Sequence, residues 1–342
     1  MTITTQELLK SDYIIWHGRK MEDEKGIHFF YTASGFSFKF TGSKIVATFE
    51  SSFEEFNKRP FIVIDVKSVN HKHTYVMDLK QGKQTIECLN LPYDTYEVEV
   101  RKRSESLMSK TILNEISTDG TFLYPTSVND QLKIEWIGDS STCGYGNLST
   151  SIDEPFTTES EDGLQTFASI ASNILDANYQ IVAVSGIGLY KSFYAQITLP
   201  KIYCQIDIHK NIHYDFSYNP DLIVINLGTN DHSYMKFLEH QSLAHEQRTF
   251  KDVYKSFIND IFINHFGAQI LLISQGERHH LVDHVIEQVY LEMSHHKLHH
   301  LRVSKVMTED GIGGQFHPTI KTHQRWGQEV AVKIKQILNY EV

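Results

Sequence analysis

Cysteine is scarce: the 342 residues hold three, Cys88, Cys143 and Cys204. The number is odd, and no Cys-X-X-Cys or Cys/His spacing of a zinc site occurs, so neither a disulfide framework nor a structural metal is expected. Basic residues are outnumbered, 32 Lys and Arg against 42 Asp and Glu, for a formal net charge of −10. That balance argues against nucleic acid or an anionic membrane surface as the main partner. Short basic steps such as Lys102-Arg103 read as solvated strand or loop residues. No apolar run approaches the ~20 residues of a membrane span. The opening segment has no basic stretch followed by an apolar one, so no secretory signal is expected and a cytoplasmic, reduced chain is. Internal repeats and low-complexity tracts are missing too.

What remains is an ordinary globular composition, 41% hydrophobic and 22% charged, with the length for two domains. The first part alternates. Phe36, Phe38 and Phe40 are separated by polar residues, as are Ile45, Ala47 and Phe49; period two marks half-buried strands. Further short runs lie at Phe61–Val66, His73–Leu79, Gln84–Leu89, Tyr96–Arg101 and Thr111–Ile116. About eight short strands without a long helix predict a β-sandwich or jelly roll over residues 1–122. Leu123–Asn129 reads as a linker. Beyond it, over residues 130–342, buried apolar runs at Leu132–Ile137, Tyr179–Val184, Leu222–Asn226 and Ile270–Ser274 alternate with amphipathic helices. One helix starts near Gly163 and aligns Phe167, Ile170, Ala171 and Ile174. Another aligns Val282, Val285, Ile286, Val289 and Met293. The last covers about Thr319–Asn339. This pattern predicts a three-layer α/β unit on a parallel sheet, with ligands beyond the carboxyl ends of the strands.

Four pieces of chemistry follow predicted strands. Gly138-Asp139-Ser140 leaves the first, which exposes a serine at the sheet edge with its N–H free for a developing oxyanion; a helix N-cap is the plainer reading. Ser185-Gly186-Ile187-Gly188 leaves the second, where glycine lets backbone approach substrate; it could also be an ordinary turn. Gly228-Thr229-Asn230-Asp231 leaves the third. Asn230 offers a neutral, directional amide for an oxyanion, while Asp231 reads as a cap on the next helix. His317-Pro318 precedes the final helix and supplies an imidazole able to shuttle the serine proton. Among nineteen histidines, most are surface or core residues. The pairs His279/His280, His295/His296 and His299/His300 have no carboxylate at ligand spacing, so no metal is expected there.

Taken in order, GDS, glycine, GTND and HP resemble the SGNH (GDSL) hydrolase superfamily. The nearer resemblance is to carbohydrate esterase family two, which joins a jelly roll to an SGNH domain and deacetylates plant polysaccharides. It is carried by residues 15–20 (IWHGRK), 34–43 (SGFSFKFTGS), 138–146 (GDSSTCGYG), 184–190 (VSGIGLY) and 316–324 (FHPTIKTHQ). The resemblance implies Ser140 as nucleophile and His317 as base. It implies an oxyanion hole made of the Ser140 N–H, the Gly186 N–H and the Asn230 side chain. Metal and organic cofactors are not needed. Family members often carry an aspartate two residues before the histidine, and the wider superfamily carries one three before. Here Gln315 and Gly314 stand there, which resembles members with a Ser–His dyad. The imidazole would then be oriented by a main-chain carbonyl or by Gln315, Asp310 being the nearest upstream acid.

The expected substrate is an acetyl ester on a xylan-, mannan- or glucan-type oligosaccharide or polysaccharide, with imported oligosaccharides favoured. Tyr145 and Tyr190 could stack on a sugar ring or pack inside their loops. The alternatives are an esterase for other acyl groups and a carbohydrate-binding protein with little or no esterase activity. Oligomeric state is not encoded in any motif.

Overall fold

The computed structural model describes residues 2–4, 12–88, 91–105, 107–125, 131–192, 197–275 and 280–339. The alternating N-terminal segments form two antiparallel six-stranded sheets. One is ordered Lys20–Asp23, Gly26–Phe29, Ser109–Thr118, Ile45–Phe53 and Gly82–Cys88, with Thr2–Thr4 added on Ser109–Thr118. The other is ordered Thr121–Leu123, Gly35–Gly42, Asp94–Lys102, Phe61–Lys67 and Lys72–Asp78, with Ile14–His17 added on Gly35–Gly42. Their inner faces share one core. Phe36, Phe38, Phe40, Ile62, Ile64 and Val98 of one sheet pack with Ile27, Phe49, Leu113 and Ile116 of the other. Each buried aromatic or branched side chain there contributes roughly 1.5–3 kcal/mol relative to exposure.

Three short strands, Ile14–His17, Lys20–Asp23 and Gly26–Phe29, are not visible as alternating runs. Each has four residues, and Gly26–Phe29 is buried throughout, so no period-two pattern exists to be read. The linker expected at Leu123–Asn129 lies largely in residues 126–130, outside the described residues, so its structure and the exact boundary do not enter the description.

The second part is a parallel five-stranded sheet in the order Asn178–Ala183, Lys133–Gly138, Leu222–Asn226, Gln269–Ser274, Leu298–Arg302. Helices cover both faces. Phe167–Ile174 and Ile320–Leu338 enclose Trp136, Ile181 and Val224 on one side. His240–Asn264 and His280–Met293 enclose Ile137, Ile225 and Leu272 on the other. The first strand in the chain sits between the second and the third. The chain runs from it to one side and then crosses back to the other, and in open α/β sheets the crevice at such a switch point is where ligands bind.

Sandwich and α/β unit are held together by a buried ion pair. Arg19, 1% exposed, donates from Nη1 to the Tyr203 and Gln205 carbonyls at 2.7 Å each, and its Nη2 lies 3.5 Å from Glu135. Glu135 also accepts from Gln180 and the Tyr203 hydroxyl, each at 2.6 Å. Removing one member would leave an uncompensated buried charge, a change worth several kcal/mol. No described helix is long and apolar enough to cross a membrane.

Candidate active site

Ser140, Gly186 and Asn230 follow the three adjacent strands at the switch point, so the topology alone brings them to one crevice. Ser140 opens a one-turn helix, Ser140–Cys143, with Asp139 as N-cap: its carboxylate accepts the Ser141 N–H at 3.1 Å. Asp139 is fully buried. Burial lifts its pKa to about 7, and the nearby Asp231 carboxylate adds to the lift.

Gly186 adopts φ +76°, a conformation side chains with a Cβ disfavour. The turn around it is closed by the Ile187 N–H on the Val184 carbonyl at 3.3 Å. Asn230, 7% exposed, donates one amide hydrogen to the Ile187 carbonyl at 2.7 Å. The amide has a second hydrogen to give. Asn230 therefore holds the glycine turn while keeping a donor for a ligand.

The expectation that Asp231 caps its own helix is corrected. Gly228 occupies the N-cap of Thr229–Met235. The Asp231 carboxylate instead accepts three backbone N–H groups of the loop after Gly186, from Leu189 at 2.9 Å, Tyr190 at 2.8 Å and Lys191 at 2.7 Å. Three loop donors converge on the one carboxylate, so each of these N–H groups is satisfied without water. Burial raises its pKa to about 6 against the pull of those hydrogen bonds.

His317 comes from the loop before the final helix, and its Nε2 lies 2.9 Å from the Ser140 Oγ. Its Nδ1 lies 3.0 Å from the Gly314 carbonyl oxygen. A carbonyl only accepts, so Nδ1 carries the proton and Nε2 is left to accept from the serine hydroxyl. Of the three candidates for orienting the imidazole, the main chain is the one in contact. Gln315 points elsewhere, accepting the Tyr145 hydroxyl at 2.9 Å. Asp310 pairs with Arg325 at 2.5 Å and receives the Thr322 hydroxyl at 3.4 Å.

The loop carrying that carbonyl is strained. Gln315 and Phe316 both adopt left-handed backbone, φ 50° and 65°, which costs roughly 1–2 kcal/mol for each such L-residue. It is pinned against the loop that follows Ser140. Gly314 N–H donates to Gly146 and Gln315 N–H to Ile152, both at 3.0 Å. A Cβ on Gly314 would come within 2.7 Å of the Ser149 Oγ, so a side chain there would require Ser149 to move.

Tyr145 and Tyr190 separate. Tyr145 is half-buried beside the imidazole, ring centroids 4.5 Å apart, with Phe156 stacked on it at 4.0 Å. Tyr190 packs against the α/β core, and the Lys191 ammonium lies 4.6 Å from its ring centroid.

The histidine pairs have their own partners. His299 and His300 occupy an edge strand and point to opposite faces, toward Gln269 at 2.9 Å and Ser274 at 3.0 Å. His295 and His296 stack on each other at 4.6 Å. His279 lies outside the described residues. Among the described residues no group of three or more His, Cys, Asp or Glu side chains could hold a metal ion.

Residues 134–330 match the GDSL-like Lipase/Acylhydrolase family. The cellulase/esterase CelE of Acetivibrio thermocellus is 32% identical over 219 residues, 61% of this chain. The chain spans only about a quarter of that protein's length, 26%. An acetylxylan esterase/glucomannan deacetylase of Cellvibrio japonicus is 26% identical over 341 residues, covering 94% of this chain and 87% of that one. A solved family two carbohydrate esterase from Clostridium thermocellum, in complex with cellohexaose, superposes with a TM-score of 0.85 at 25% identity. That likeness covers 95% of this chain and 99% of the other.

Proposed function

The chain belongs to the GDSL-like lipase/acylhydrolase family, a family of serine ester hydrolases, and we propose that it removes O-acetyl groups from plant-type carbohydrates by a Ser140–His317 acyl-enzyme route. The observation that carries this reading is the hydrogen-bonded line from the Gly314 carbonyl through the His317 imidazole to the Ser140 hydroxyl, 3.0 and 2.9 Å long. It is the arrangement a general base needs to take the serine proton.

Ser140 Oγ attacks the acetyl carbonyl as its proton moves to His317 Nε2. The carbonyl oxygen becomes an oxyanion, received by the Ser140 N–H, the Gly186 N–H and the free Asn230 amide hydrogen. The C–O bond to the sugar then breaks, and His317 returns its proton to the departing hydroxyl. Water attacks the acetyl-serine in the reverse order, with His317 as base again, and acetate leaves. Every proton is handled by one imidazole, and no step calls for a metal or organic cofactor.

The carbohydrate substrate is supported by the relatives, one named for acetylxylan and glucomannan and one holding cellohexaose. The half-exposed Tyr145 ring beside the base is suited to stack on a sugar; Tyr190, also partly exposed, packs against the core and the Lys191 ammonium and is less so. The cellohexaose complex also favours a second reading, in which the crevice holds unacetylated glucan without turning it over.

The test is acetate release from acetylated xylo-, manno- and gluco-oligosaccharides by the native chain and by Ser140→Ala. Loss of a nucleophile costs several orders of magnitude. A folded Ser140→Ala protein keeping more than about a tenth of native turnover would refute the assignment. A native chain that binds cello-oligosaccharide but releases no acetate would establish the second reading.

A further inference from the structure

We propose that Glu105, a residue of the β-sandwich, is a positioning residue for the oxyanion turn at Gly186, so that the sandwich is part of the catalytic apparatus. This rests on the oxyanion role proposed for Gly186.

Glu105 follows the strand Asp94–Lys102 and is 0% exposed. Its Oε2 accepts the Ser185 N–H at 2.8 Å. Ser185 is the residue before Gly186, so this bond fixes the peptide by which the chain enters the left-handed turn. The same oxygen lies 3.6 Å from the Cys143 Sγ, at the end of the helix that Ser140 opens. Nucleophile helix and oxyanion turn thus meet on one atom supplied by the other half of the molecule.

The main chain at Glu105 is itself held firmly. The Glu105 N–H donates to Glu161 Oε2 at 3.2 Å, and the Glu105 carbonyl accepts from the Lys102 ammonium at 3.2 Å. Lys102, expected from the sequence to be solvated, is instead 1% exposed and anchored on the Phe30 and Ser109 carbonyls at 2.9 and 3.3 Å. The turn then has a tie at each end: Glu105 on Ser185 at its entry, and Asn230 on Ile187 at its exit. Oxyanion donors work only when aimed at the developing charge, and a displacement of about 1 Å can cost up to ~100-fold in rate.

In the 342-residue chain we expect Glu105→Ala to lower kcat by about 10- to 100-fold with KM within about threefold, because aim is lost and ground-state binding is not. Glu105→Gln keeps an oxygen for the Ser185 N–H and should return kcat to within about threefold of native. Melting curves and near-ultraviolet circular dichroism check that each variant is folded. The proposal is overturned if folded Glu105→Ala keeps kcat within about threefold, if KM moves in place of kcat, or if Glu105→Gln falls as far as Ala. Should Ala fail to fold, Glu105→Asp withdraws the acceptor by about one methylene, ~1.5 Å, and native kcat in that variant would also overturn it. Ser140→Ala measured in parallel keeps the questions apart. An active Ser140→Ala protein sinks the serine mechanism, whereas an inactive one beside a fully active Glu105→Ala sinks only the present inference.

Discussion

Replacing Asn230 by alanine should cut turnover by about 10²–10³ while leaving KM within about threefold. The side-chain amide has two hydrogens, and one is committed to the Ile187 carbonyl at 2.7 Å. On the proposed mechanism, deletion therefore removes an oxyanion donor and also releases the exit of the Gly186 turn. A lost donor alone corresponds to about 2.7–4 kcal/mol of transition-state stabilisation. The released turn adds to this, so the fall should lie toward the larger end. The folded state loses less. One buried hydrogen bond disappears and a carbonyl is left without its partner, worth about 1–3 kcal/mol, or a melting temperature lower by several degrees in a chain of this size. Asn230→Asp should be worse in rate, because an ionised carboxylate has no hydrogen to donate and would face both the Ile187 carbonyl and the developing oxyanion. The assay is steady-state hydrolysis of 4-nitrophenyl acetate and of an acetylated oligosaccharide, with thermal melts alongside. A rise in KM at unchanged kcat would make Asn230 a substrate-binding residue and refute the oxyanion reasoning.

Gln315→Ala should reduce kcat by no more than about tenfold, since it forfeits one exposed hydrogen bond to Tyr145 and leaves the Gly314 carbonyl in place; a loss near the ~10⁴ of a deleted triad aspartate would mean that Gln315 orients the base. Stability should fall as pH rises from the ordinary carboxylate range through about 7, because Asp139 ionises with a pKa near 3.9 when unfolded but only at about 7 when buried. Above that pH the folded state carries a charge it disfavours. Asp139→Asn keeps the cap on Ser141 and should flatten the decline in melting temperature between pH 5 and pH 8; an unchanged slope would refute the assignment.

Legibility from sequence followed the strength of the local pattern. The first four strands of the α/β unit in chain order are apolar runs bounded by polar residues, and they form where expected. The fifth, Leu298–Arg302, carries two histidines and an edge-strand burial pattern, so it read as a histidine pair. The helix His240–Asn264 was hidden for a similar reason. Its buried residues, Phe250, Tyr254, Phe257, Ile258 and Ile261, begin only at its eleventh position, and the first turns are solvated. At the site, Ser140, Gly186, Asn230 and His317 were legible because each sits at a strand end or helix start in a short motif. The Gly314 carbonyl and the Ser185–Glu105 bond were not. Main-chain acceptors leave no mark in a sequence, and Glu105 is 80 residues from its partner.

The missing acidic residue at 314 or 315 is explained by what the loop does in its place. A carboxylate beside a catalytic histidine fixes the tautomer and also stabilises the imidazolium formed during attack. The Gly314 carbonyl can do the first as well, since it accepts the same hydrogen bond. For the second it offers a dipole where a triad offers a full charge. Its usefulness therefore depends on aim, and the loop supplies aim through structure. Two consecutive left-handed residues turn the chain back so that the Gly314 oxygen faces the ring of a histidine only three positions later. The bonds from Gly314 and Gln315 to Gly146 and Ile152 hold that turn against the segment leading away from Ser140. The strain of the loop is thus borne by contacts with the loop that follows Ser140, which ties the position of the His317 imidazole to that of the Ser140 hydroxyl.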